Sequence, residues 1–96
     1  MIASFSDRAT SDFFHGTNSA RARRIPAQIR ETALYKLDVL NAAGALDDLR
    51  SPPGNRLEAL RGDYAGKHSI RINGQWRIVF RWEGANAHDV EVVDYH

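Results

Sequence analysis

Three arginines, Arg71, Arg77 and Arg81, stand at odd positions of the stretch GKHSIRINGQWRIVFRW, residues 66–82. Ile70, Ile72, Trp76, Ile78, Phe80 and Trp82 stand at even ones, with Val79 the odd-numbered exception. Strand side chains alternate between faces, so two paired strands here would put arginines on one face and a core on the other. Guanidinium groups bind phosphate through paired hydrogen bonds. Arg61 and Lys67 can join them at the end of the sheet, and Arg56 adds charge to the same basic region. Asp94-Tyr95-His96 forms a second group. A histidine moves protons near neutral pH, an aspartate can orient it, and a tyrosine can stack on a base. Glu58, three residues before Arg61, suits either a base or a surface salt bridge. Histidines 15, 68, 88 and 96 lack helical ligand spacing and no cysteine assists them, so neither a metal site nor a cofactor is expected. His68, at an even position, reads as a satisfied residue of the core edge. A solvated charged surface is the alternative reading of the arginines.

These residues need a hairpin to hold them. Asn73-Gly74 suggests a two-residue turn, but that register would mix charge with core on each face. A three-residue loop of Ile72, Asn73 and Gly74, with Gly74 left-handed, keeps parity and pairs Ile70 with Trp76 and Ser69 with Arg77.

The rest of the chain supplies the support. Residues 2–5 read as a short strand, and Ser6 as the cap of a helix over 7–14, anchored by Phe13 and Phe14 and ended by His15-Gly16. Residues 16–25 lack apolar periodicity and read as a mobile loop whose Arg21, Arg23 and Arg24 either touch phosphate or face solvent. Pro26 suits the start of a helix reaching about Ala43, with Ile29, Ala33, Leu37 and Leu40 as its buried stripe, widened by Leu34 and Tyr35. Pro52-Pro53 must leave helix. Residues 57–61 form a short strand, and residues 87–95 a last one with Val90 and Val92 facing the core. The expected class is α+β, ordered β-α-α-β-β-β-β. Two helices cover one face of a small, mostly antiparallel sheet and leave the arginine face open.

Ninety-six residues make a single domain, residues 1–96, near the lower size limit for one unstapled core. The absence of cysteine fits a reducing compartment, and with neither a signal-peptide core nor a membrane-length apolar run the expectation is a soluble cytoplasmic protein. A net charge of +1 conceals segregation. Residues 50–81 hold seven basic side chains and two acids, whereas residues 83–94 hold four acids and no Lys or Arg. Local positive patches of this kind can hold phosphates on a nearly neutral protein.

The run PPGNRLEALRGDYAGKHSIRINGQWRIVFRW, with the closing VEVVDYH and the opening Ile2-Ala3-Ser4-Phe5, resembles the HigB-type toxins of bacterial toxin–antitoxin pairs, in the RelE superfamily. The resemblance covers essentially the whole chain. It implies a RelE-like fold and a metal-independent, ribosome-dependent endoribonuclease that cuts mRNA and inhibits translation. It also implies a helix-turn-helix, HigA-like antitoxin, the 70S ribosome as partner, and operator DNA reached through the antitoxin complex. By match, Arg61 is the basic residue of the family's L-[KR]-G-D segment and Arg77 the arginine of its W-R-I strand. Asp94, Tyr95 and His96 match the terminal catalytic triplet. Some members carry a catalytic histidine where this chain has Glu58, so Glu58 stands as reserve base behind His96. Arg71, Arg81, Lys67 and Arg56 complete the expected RNA contacts. A module of the same fold that only binds antitoxin or RNA is the alternative.

Overall fold

The structure, a computed structural model, describes residues 1–94. Helix α1 (Arg8–Phe14) precedes the longer α2 (Ala27–Ala42), and four strands follow: β1 (Glu58–Ala59), β2 (His68–Arg71), β3 (Trp76–Glu83) and β4 (Asn86–Asp94). The strands form one antiparallel sheet in the order β1-β2-β3-β4. Each connection is a return to the adjacent strand, as expected of short antiparallel links.

The stripe on α2 is the one its spacing predicts. Ile29, Ala33, Leu37 and Leu40 are buried in one core with Ile70, Ile78, Phe80, Ala87 and Val90 of the sheet and Ile72 just after β2. Each large side chain so removed from water contributes roughly 1.5–3 kcal/mol. Pro26 immediately precedes the first helical residue and Ala43 closes the last turn. Leu34 and Tyr35 do not widen the stripe. They are 39% and 59% exposed, because their positions carry them round to the outer side of α2.

Three local expectations change for physical reasons. Asp7, not Ser6, caps α1: its carboxylate accepts from the Thr10 N–H at 2.9 Å, and the helix begins one residue later than expected. The opening strand contracts to two isolated parallel bridges, Ile2 to Ala87 and Phe5 to Val90, along the outer edge of β4. Thr10 extends that cover, its hydroxyl accepting from the Val92 N–H at 3.0 Å. An edge strand that would otherwise expose its amides is thereby protected. Residues 16–25, expected as a mobile loop, contain a short 3₁₀ turn at Ala22–Arg24 with Ala22 and Ile25 buried. Ser19 fastens the turn by donating to Asp12 at 2.8 Å.

The hairpin keeps the expected parity but not the expected register. Arg71 lies opposite Arg77, Ile70 opposite Ile78 and Ser69 opposite Val79. Each residue of β2 therefore pairs two positions further along β3 than expected, the loop becomes residues 73–75, and Ile72 donates to the Trp76 carbonyl at 2.9 Å. Gly74 is not left-handed. Asn73 shapes the turn instead, its side-chain oxygen accepting from the Gln75 and Trp76 N–H groups at 2.8 Å each. An Asx-type cap removes the need for a glycine at positive φ. The strand expected over 57–61 shrinks to Glu58–Ala59. Among the described residues, no helix is long and apolar enough to cross a membrane.

Candidate active site

The even-numbered face of the hairpin is core, as read from the sequence, but the arginine face is not open. Ser69 and Val79 on it are fully buried, and the Arg77 side chain is only 11% exposed. A 3₁₀ turn at Pro53–Asn55 lies beside β2, and the carbonyl of Arg56, the residue after it, meets Arg77.

Arg77 is gripped on three sides. Its Nε donates to Ser69 Oγ at 2.7 Å, and one terminal nitrogen donates to the Arg56 carbonyl at 2.7 Å. The other lies 3.7 Å from Glu58 Oε1, whose side chain is 52% exposed. Strand pairing explains the convergence. Glu58 is opposite Ser69 and Ser69 opposite Val79, so Glu58, Ser69 and Arg77 share one face within adjoining rows. Arg71 is directly opposite Arg77 on that face. Like charges placed so are unfavourable unless an anion lies between them. This end of the face therefore offers two guanidiniums, one of them fixed in orientation, with a carboxylate alongside. Such an arrangement can bind a phosphate, stabilise charge building on it and place an acceptor for a proton next to it.

Of the other expected contacts, Arg81 is tied at the far end, pairing with Glu83 and, through Nε at 3.3 Å, with Asp89. Those two carboxylates raise its pKa further. Lys67 sits with its ammonium 6.0 Å from the Tyr64 ring centre. Arg61 stands beyond β1, exposed, where it precedes the 3₁₀ turn Gly62–Tyr64; its side chain makes no hydrogen bond or ion pair among the described residues. Arg56 contributes its backbone carbonyl to Arg77, and its own side chain is exposed. Asp94 is opposite Trp76, hence of core-face parity, and its carboxylate accepts from Gln75 at 3.0 Å. Tyr95 and His96 lie outside the described residues. His68 sits at the core edge, stacked on Phe80, but the expectation that it is satisfied fails: among the described residues its buried Nδ1 has no hydrogen-bond partner.

Sequence reasoning passed over Ser69 and Glu91. Ser69 was paired with Arg77 across the expected hairpin but given no role, although that cross-strand pairing on the arginine face was the available signal. Glu91, opposite Val79 on the same face, has its pKa raised, first by burial and then by Asp7 and Asp89, with Lys67 opposing. Among the described residues no cluster of three or more His, Asp or Glu could hold a metal.

Residues 3–96 match the family described as "RelE-like toxin of type II toxin-antitoxin system HigB". The chain is 43% identical over 82 residues to Toxin HigB-1 of Vibrio cholerae serotype O1, covering 85% of this chain and 84% of that one. It is 29% identical over 97 residues to Endoribonuclease HigB of Proteus vulgaris, across the full length of both. Its fold resembles that of the YoeB-YefM complex from Staphylococcus aureus, with a TM-score of 0.60, 16% identity, and coverage of 100% of this chain and 98% of that one.

Proposed function

The chain belongs to the HigB family of RelE-like toxins of type II toxin–antitoxin systems, and on that premise we propose that it is an endoribonuclease acting on ribosome-bound mRNA. The observation that carries this reading is the Arg77 guanidinium, fixed by Ser69 and Arg56 at the strand position opposite Arg71. The name of the Proteus vulgaris relative supports the activity.

The reaction needs no metal in this scheme. An RNA 2′-oxygen bonds to the adjacent phosphorus, the bond to the 5′-oxygen breaks, and a cyclic phosphate and a 5′-hydroxyl result. One proton leaves the 2′-hydroxyl and one reaches the 5′-oxygen. Arg77, with Arg71, stabilises the phosphorane, because donors fixed beforehand need no reorganisation as charge develops. Arg61 and Arg56 meet flanking phosphates. His96, oriented by Asp94, exchanges a proton, Tyr95 stacks on or orients the substrate, and Glu58 is the reserve base. The cytoplasm is where ribosomes and a cysteine-free chain meet.

Purified protein mixed with programmed ribosomes and mRNA, read by primer extension, tests the activity. Codon-phased cuts are expected with ribosomes. Their absence across many codons, with folded protein and intact ribosomes, sinks it. Loss of His96 should slow single-turnover cleavage by roughly 10²–10⁴.

A non-catalytic toxin-like module that holds antitoxin or RNA is the second reading, favoured by Glu58, which is engaged with Arg77 where some relatives place a histidine. Wild-type protein that is harmless on expression yet binds its partner tightly would support it. For either reading the expected partner is a small HigA-like helix-turn-helix antitoxin, and the pair should bind operator DNA.

A further inference from the structure

We propose that Asn55, held by Lys36 of α2, is a positioning residue for the Arg77 guanidinium, an inference that rests on the phosphate-binding role just given to Arg77. Asn55 is fully buried although it belongs to the loop sequence Pro52-Pro53-Gly54-Asn55. Its side-chain nitrogen donates to the Leu49 carbonyl at 3.2 Å and the Ser51 carbonyl at 3.3 Å. Its side-chain oxygen accepts from Lys36 Nζ, and its backbone N–H donates to the Pro52 carbonyl at 3.0 Å. A buried amide is costly unless its donors and oxygen are matched, so this set of partners allows one placement of the turn.

The next residue transmits that placement. Arg56 leaves the turn in the left-handed region, at φ 46° and ψ 58°, with its N–H on the Pro53 carbonyl at 3.1 Å. A non-glycine residue holds that conformation only where its surroundings over-determine it. The outcome is a carbonyl aimed at Arg77, 2.7 Å from a terminal nitrogen. Two hydrogen bonds joined by the Asn55–Arg56 peptide link thus run from helix α2 to the guanidinium. Lys36 has no ion pair with a carboxylate among the described residues, and burial lowers its pKa. An amine placed there is unfavourable for simple packing, whereas as the donor to Asn55 it has a use.

Lys36→Met keeps the aliphatic stem and removes the donor, so it tests the linkage without opening the core; Asn55→Ala is the harsher variant. Thermal melts establish that each is folded. The Arg77 Nε–H resonance and its hydrogen exchange report the guanidinium directly, independent of activity. In Lys36→Met this resonance should shift and exchange faster. Single-turnover cleavage on ribosome complexes should fall by about tenfold, the size of a displacement somewhat under 1 Å, with the half-saturating ribosome concentration unchanged. Lys36→Arg should recover most of the rate. In an Arg77→Ala background, Lys36→Met should cause no further loss. An unchanged Nε–H signal in folded Lys36→Met, or rate losses that multiply with Arg77→Ala, overturns the proposal. If wild-type protein cuts no RNA, the cleavage reading fails on its own, and the resonance still decides whether Lys36 and Asn55 place Arg77.

Discussion

At one end of the arginine face Arg77 donates to a serine hydroxyl and a backbone carbonyl; at the other Arg81 donates to two carboxylates. Both are arginines of the same strand, four residues apart and on the same face by parity. The serine hydroxyl and the backbone carbonyl fix the Arg77 guanidinium without opposing its charge, which also meets Glu58 at 3.7 Å, whereas among the described residues Arg81 is fixed by carboxylates alone. Near the turn, among the described residues, Arg71 and Arg77 stand with the carboxylate of Glu58. At the far end, one cation stands against Glu83 and Asp89. An incoming phosphate should therefore be drawn to the first end only.

The largest expected effect breaks the comparison at its active end. Arg77→Ala should lower single-turnover cleavage by about 10²–10³, the loss typical of removing one preorganised donor to a transition-state oxyanion. Arg81→Ala should leave the same rate within about twofold and lower the melting temperature only slightly, as exposed ion pairs do. Equal losses from the two would mean that the face acts as one undivided electrostatic surface.

Asp89 reaches Arg81 because of a backbone irregularity. Between the pairs Val79–Glu91 and Arg81–His88 the register slips by one residue, and Asp89 takes φ 53°. Its N–H meets Ser4 Oγ at 2.9 Å, so the N-terminal segment helps hold the bulge. Asp89→Gly should therefore be better tolerated than Asp89→Ala, by about 1 kcal/mol in chemical denaturation, since only glycine adopts this conformation without a Cβ penalty. Both remove one of the two carboxylates on Arg81 and leave Glu83 in place, so both should partly release Arg81 toward phosphate. A measurable rise in salt-sensitive RNA binding would sharpen the contrast between the ends.

The bulge also marks where sequence reading stopped. Alternation in residues 66–82 made the two faces and the antiparallel pairing legible, because side-chain parity is a local property. Register was not, since Asn73 forms the turn through its side chain and the Asn-Gly pair pointed to glycine geometry instead. The stripe of α2 was legible from spacing alone, whereas the outward turn of Leu34 and Tyr35 depended on how much of the helix the sheet covers. Arg77 was found, but the covering of its face was not. The Arg56 carbonyl that meets Arg77 follows Asn55, whose burial rests on contacts with Lys36, Leu49 and Ser51. Long-range pairing of this kind leaves no periodic trace.

The smallest effect concerns Glu91, in the row that runs Glu58, Ser69, Val79, Glu91 between the two ends. Burial is the main cause of its raised pKa. Asp7 at the α1 cap and Asp89 at the bulge push the same way, and Lys67 pushes back. A folded pKa above the unfolded one means that the folded state holds the proton more tightly. The associated stability is fully present below the unfolded value, near 4.5, and is lost as pH rises through the folded value. Glu91→Gln replaces the protonated carboxyl with a neutral group of similar shape. Variant and wild type should thus melt together at about pH 4, with the variant melting slightly higher at pH 7. Comparing the two proteins at each pH cancels the contributions of every other titrating group. A difference that does not vary with pH would mean that Glu91 ionises as freely in the fold as outside it. The row between the two ends would then have to be regarded as solvated, and the separation of the cationic end from the neutralised one would rest on the ion pairs of Arg81 alone.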